Sequence, residues 1–235
     1  MNILLNIGLS EAEWSALIIS VKVSLLCAFI SLPFAVGWGW ILARKNFKLK
    51  AVFEAFLHIP MVMPPVTTGY LLLVIFGTNG FVGHFLEQHF GIKIAFSFAA
   101  AVFASMIVSF PLAVRAVKQA VEMVDERLED AAGILGAGRM KVFFTITVPL
   151  AFPGILSGFL LSFTRSLGEF GATITFAGNI FGETRTIPLA LYSAMQTPGK
   201  EGEAFRLMLI SIIISFVAML ASELVNRRYQ KSVKL

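Results

Sequence analysis

Five segments of this sequence, roughly 15–42, 56–77, 94–117, 150–168 and 205–226, are apolar over the roughly 20 residues that a helix needs to cross a bilayer. Nothing else in the chain constrains its fold as tightly. In hydrocarbon every backbone N–H and C=O must find a partner within the protein, so such segments form helices that pack on one another. Composition agrees: of 235 residues 57% are hydrophobic and 14% charged, where soluble domains carry roughly a quarter charged. The expectation is an all-α, polytopic transmembrane helical bundle of about five spans, one domain over residues 1–235. The first segment does not read as a cleaved signal, because Glu11 and Glu13 precede it and no Lys or Arg does.

The basic residues set an expected orientation. Thirteen of the 19 Lys and Arg fall in three places: Arg44 to Lys50, Arg115 to Lys141, and the tail from Arg227 to Lys234. Cytoplasmic loops collect Lys and Arg, so these segments should face the cytoplasm, with the N-terminus outside and the C-terminus inside. Five crossings give the same parity. The net charge of +5 is thereby explained by topology, and no nucleic-acid partner is expected. Cys27 lies alone in an apolar run, which excludes a disulfide within the chain.

Proline interrupts several spans. Pro33 falls in the first, Pro60, Pro64 and Pro65 open the second, and Pro111 falls late in the third. Each removes a backbone hydrogen bond and favours a kink. Either a static bent bundle or a pathway wall that flexes fits these positions. Residues 170–203 carry too many Thr, Asn, Glu and Arg for a plain span. They read as partly helical, lying on or dipping into the outer face, with a sixth span as the weaker alternative.

Between the third and fourth spans, about residues 122–149, a polar island reads as two short helices hinged on glycine. Asp125 and Glu126 suit a helix N-terminus, where acidic groups cap free N–H groups. Leu128, Ala131, Ala132 and Leu135 recur at helical spacing. Gly136 and Gly138 would stop that helix with left-handed backbone. A second amphipathic run, Arg139 to Thr145, leads to Pro149 at the expected start of span four. On pattern alone this pair could simply rest on lipid headgroups.

The spacing Asp130-Ala131-Ala132, Gly136, then Ile146-Thr147-Val148-Pro149 resembles the EAA loop of ABC-importer permeases, with Asp130 for the usual Glu and Val148 for Leu. His58 to Pro65, Phe143 to Thr147, Arg165 to Ala172 and Glu183 to Pro188 resemble the molybdate branch, which shares much with sulfate permeases. The resemblance implies a cytoplasmic coupling helix, carried by Asp130, Ala131, Ala132, Leu135, Gly136, Gly138, Ile146 and Pro149. It implies as partners two cytoplasmic ATPase subunits, a second permease copy and an external molybdate-binding protein. The substrate it implies is molybdate, with tungstate or sulfate as alternatives.

The residues themselves supply no catalytic or cofactor site. Pro198-Gly199-Lys200-Glu201 lacks the leading glycine and the Ser/Thr of a phosphate loop. His58, His84 and His89 do not form a metal-binding spacing. Neither an enzyme nor a bound cofactor is expected of this chain, so uphill transport requires a separate ATPase. Charges inside spans are rare and face protein or water. Lys22 should reach back to the outer interface. Arg165 and Glu169, four apart, should share a helix face, either as a structural pair or beside an anion path. A secondary transporter or channel, the rival class, would need a relay of intramembrane acids, and Glu169 alone is at hand.

Overall fold

A computed structural model describes residues 8–233 of the chain, with side chains described through Ala221 and at Glu223 and Leu224. Among the described residues the fold is all helical; four helices are long and apolar enough to cross a membrane, and one bent pair is a candidate fifth. Helix α1 runs Glu11–Arg44 and starts on a capping box: Ser10 Oγ accepts the Glu13 N–H, and Glu13 Oε2 accepts the Ser10 N–H. Glu13 also receives Arg206 Nε at 2.8 Å, which binds the start of α1 to the last helix, α11, Glu201–Val233.

The proline-interrupted second span is a sharp elbow. Helices α2 (Lys50–Val62) and α3 (Pro65–Phe76) meet at 108°. Met63 between them is extended, with ψ 147°, because a residue preceding proline is driven out of helical geometry. Pro65 sits in the first turn of α3, where its missing N–H costs nothing. Of the expected kink positions, Pro64 and Pro65 alone break an element. Helix α2 continues through Pro60, and α5 (Phe98–Glu122) through Pro111. A short helix, α4 (Phe81–Phe90), lies between α3 and α5 and closes on Gly91 in left-handed geometry.

The fourth span begins earlier than its apolar run suggests. Helix α7 (Arg139–Val142), one wider π-type turn (Phe143–Thr147) and α8 (Val148–Leu167) form a single helical path. Pro149 therefore lies well inside it, rather than at its start. Pro149 and Pro153 both lack an N–H, leaving two carbonyls of this stretch without their helical partners. The π turn precedes the first of them, and the Val148 N–H bonds Phe143 O. Such bulges are common at functional positions.

Helices α1, α5 and α8 form the centre of the bundle and pack on small residues. A Cβ at Gly154 would collide with the Ala120 side chain, and one at Gly158 with Ala113 O at 3.1 Å. The helices therefore approach as closely as backbone allows, as membrane helix pairs commonly do. Where they meet, Ser109 Oγ lies 2.9 Å from Ser162 Oγ, and Cys27 Sγ 3.2 Å from Ser109 Oγ. Cys27 is fully buried and unbridged.

Residues 170–203 do not make a further span. They fold as α9 (Gly171–Phe176) and α10 (Ile187–Met195), joined by turns on Gly178 and Gly182. Both are deeply packed rather than surface-lying: Ala172, Thr173, Phe176, Leu189 and Ala190 are buried. Helix α9 lies against α3, with Gly171 closely facing Pro65. Helix α10 is held at its first turn by Ser20 of α1, whose Oγ accepts the Ile187 N–H at 2.7 Å.

Candidate functional site

The polar island is a protruding helix on a built mount. Helix α6 spans Glu126–Ile134, with Asp125 Oδ1 accepting the Arg127 N–H at its start. At its end Ala137 N–H bonds Ala132 O, and Gly136 N–H bonds Gly133 O. These two bonds form the Schellman turn that closes a helix through a left-handed residue. Gly136 is that residue, with φ +86° and open space where a Cβ would go. Gly138 plays a different part from the one expected. Its φ is −65° in extended backbone, and it precedes α7 as the N-cap.

No residue of α6 is buried. The residues at helical spacing are open or half-open: Leu128, Asp130 and Ala131 are exposed and Ala132 is half-buried. Beyond them Ile134 is 87% exposed and Leu135 88%, with Met140 and Phe144 exposed on the following helix. A cluster of large apolar side chains on a polar protrusion is unusual for a surface facing only water. Ile146 is half-buried and Pro149 exposed at the base of the same unit.

The mount is made by residues that the spacing argument did not single out. Arg44, the last residue of α1, donates Nε to Glu129 Oε2 at 3.1 Å and Nη2 to Glu129 Oε1 at 3.2 Å. It also donates Nη2 to Val124 O at 2.8 Å and Nη1 to Glu126 Oε1 at 3.3 Å. Glu129 Oε1 receives Thr147 Oγ1 at 2.7 Å from the π turn. The Arg44 side chain is only 9% exposed, so this two-pronged pair is shielded from the solvent that weakens surface ion pairs. Together with Trp40, Arg139 and Phe143, the side chains of Arg44, Glu126, Glu129 and Thr147 line a groove of about 760 Å³ beneath α6. In the sequence Arg44 counted only toward topology, and Glu129 stands beside the motif rather than in it. Thr147 lay inside Ile146-Thr147-Val148-Pro149 and was the one available signal.

Arg165 and Glu169 lie near the other end of α8. The helix stops at Leu167, so the two do not share a helix face; Glu169 stands beyond Gly168 in the turn to α9. They nevertheless meet, Arg165 Nη1 to Glu169 Oε2 at 2.8 Å. Glu169 Oε1 accepts the Ala172 N–H at 2.8 Å and thereby caps α9. Glu169 is 2% exposed, its side chain held by both partners. No group of His, Cys, Asp and Glu suited to a metal ion occurs among the described residues. His58 Nδ1 bonds Glu54 O, and Lys22 is exposed.

The chain belongs to the family of inner membrane components of binding-protein-dependent transport systems, whose sequence profile matches residues 35–231. It is thus a multi-pass permease of the inner membrane. It is 54% identical over 219 residues to the molybdenum transport system permease protein ModB of Escherichia coli K12, covering 93% of this chain and 96% of that one. It is 52% identical over 221 residues to ModB of Haemophilus influenzae, covering 94% and 96%. A sulfate transport system permease, CysT of Salmonella typhimurium, is 34% identical over 88% of this chain and 80% of its own. Among solved structures, a bacterial ABC transporter that imports alginate shares the fold at a TM-score of 0.73 and 14% identity, covering 94% and 80%. The methionine ABC transporter MetNI does so at 0.67 and 17%, covering 94% and 99%.

Proposed function

We propose that two copies of this chain form the membrane pathway of a molybdate importer, powered by two separate ATPase subunits and fed by an external binding protein. The observation that carries this reading is α6: a braced helix that presents Ile134 and Leu135 almost fully uncovered. A helix held by ion pairs to the largely shielded Arg44 yet burying none of its own residues is built to be covered by something else. An ATPase cleft lined with apolar side chains fits that face. The identity to the two ModB permeases, well above that to the sulfate permease, supports molybdate over sulfate.

In this reading the α6 end is cytoplasmic, with the N-terminus outside and the C-terminus inside, as the clustering of basic residues favours. ATP binding closes the ATPase pair and draws the two α6 helices together. The spans then swing from inward-open to outward-open, and hydrolysis resets them. The chain carries no catalysis and binds no cofactor; its path holds the anion weakly, since conduction needs sites that release. Selection for molybdate rests with the external protein. The test is uptake into vesicles containing the permease, its ATPase and the binding protein, comparing molybdate, tungstate and sulfate. ATP-dependent molybdate uptake is expected, with sulfate excluded. Uptake that ignores ATP but follows a proton gradient would instead identify a secondary transporter.

A further inference from the structure

We propose that Arg44, Glu129 and Thr147 are positioning residues that transmit movement of α6 to the two central spans α1 and α8. This inference rests on the reading of α6 as the ATPase contact. Helix α6 buries no side chain, so core packing does not hold it. What joins it to the bundle, besides the chain at its two ends, is the exposed Arg44–Glu126 pair and a more shielded polar chain of three residues. The Glu129 carboxylate stands at the centre. Both of its oxygens take the two-pronged Arg44 guanidinium from the last position of α1. Oε1 also takes the Thr147 hydroxyl at the last position of the π turn leading into α8. Arg44 further grips Val124 O, in the link between α5 and α6. A push on α6 is therefore delivered to α1 and α8 through the same carboxylate.

The receiving end is suited to move. The π turn and the two prolines after it leave α8 with fewer backbone bonds here than a regular helix keeps. Thr147 attaches the carboxylate at that weak point, whereas Arg44 attaches it to an unbroken helix of 34 residues. Displacement of α6 would thus pull α8 about its π turn, and α1 at its last turn, where the helix is regular and its one proline, Pro33, lies about three turns away. A brace with only a structural purpose needs no bond to the flexible turn.

The test is the number of anions moved per ATP hydrolysed, measured in proteoliposomes holding the full complex with the binding protein. Thr147→Val keeps the side chain's shape and removes one hydrogen bond to the carboxylate. We expect the ratio to fall about tenfold, the scale on which one hydrogen bond to a charged group shifts an equilibrium, while the ATPase stays bound and hydrolysis persists. Glu129→Gln should act in the same direction, and Arg44→Lys should restore part of what Arg44→Ala loses. Because all act through one carboxylate, Thr147→Val combined with Arg44→Lys should cost less than the two effects multiplied. An unchanged ratio in both Thr147→Val and Glu129→Gln would overturn the relay, even if Arg44→Ala proved too unstable to purify. A fall in assembled complex with the ratio intact would overturn it too, leaving a brace. A wild-type complex that hydrolyses ATP without uptake would overturn the importer reading itself, and the relay with it.

Discussion

Gly136 holds a backbone conformation that side chains bearing a β-branch avoid. With φ at +86°, Gly136→Val should cost about 1–2 kcal/mol locally, enough to open the Schellman turn that aims Ile134 and Leu135. Membrane insertion should be normal and ATPase association lost; a well-expressed Gly136→Val protein with normal uptake would mean that this turn does not position the contact. The sequence made this glycine legible because a helix followed by Gly is a strong stop signal, whereas Gly138 looked equivalent and is not. At Arg165 and Glu169 the structure sharpens an open alternative. Glu169 is buried with two partners, so Arg165→Ala leaves a carboxylate in the protein interior with only the Ala172 N–H. Breaking such a pair is expensive. Arg165→Ala should therefore lower folded protein more than Glu169→Gln, which keeps an oxygen for the cap. The double alanine variant should recover only part of the loss, because the α9 cap is gone. An Arg165→Ala protein with normal yield and assembly but weak anion flux would place Arg165 on the anion path instead.

Among the elements, the long apolar helices were readable from hydropathy alone, since an apolar segment of about 20 residues satisfies its own backbone in lipid only as a helix. The boundaries were less so. The start of the fourth helical path at Arg139 was hidden because a polar, amphipathic turn continues without a break into an apolar one. The sharp elbow between α2 and α3 was written in Pro64 and Pro65, but prolines at 60 and 111 look alike in sequence and leave their helices continuous. What separates them is tertiary: α3 turns to pack on α9, a contact no local pattern encodes. The mount of α6 was illegible for the same reason, as Arg44 and Glu129 lie 85 residues apart. Close packing gives the prediction at this scale. Gly154→Leu would drive a branched side chain into Ala120 on α5; overpacking of this kind costs about 1–3 kcal/mol or more. Thermal unfolding in detergent should shift down clearly, and an unchanged transition would mean that α8 and α5 are free to separate.

For the whole molecule, orientation and assembly are the open quantities. In a protein whose native Cys27 is fully buried, single engineered cysteines report position without background. A membrane-impermeant thiol reagent applied from outside should reach sites placed at Ser10 and Gln88, but not at Gly138 or Ser232. External labelling at Gly138 would remove α6 from the compartment where ATP is hydrolysed. If α6 seats an ATPase through its uncovered apolar tip, a charge placed at that tip breaks the assembly. The decisive experiment purifies the permease–ATPase complex with Leu135→Glu beside wild type. Leu135 is 88% exposed, so the change should leave the permease folded and inserted. The expected result is normal permease yield with the ATPase lost from the complex and ATP-driven molybdate uptake abolished. A Leu135→Glu permease that still retains its ATPase and transports at the wild-type rate would contradict it.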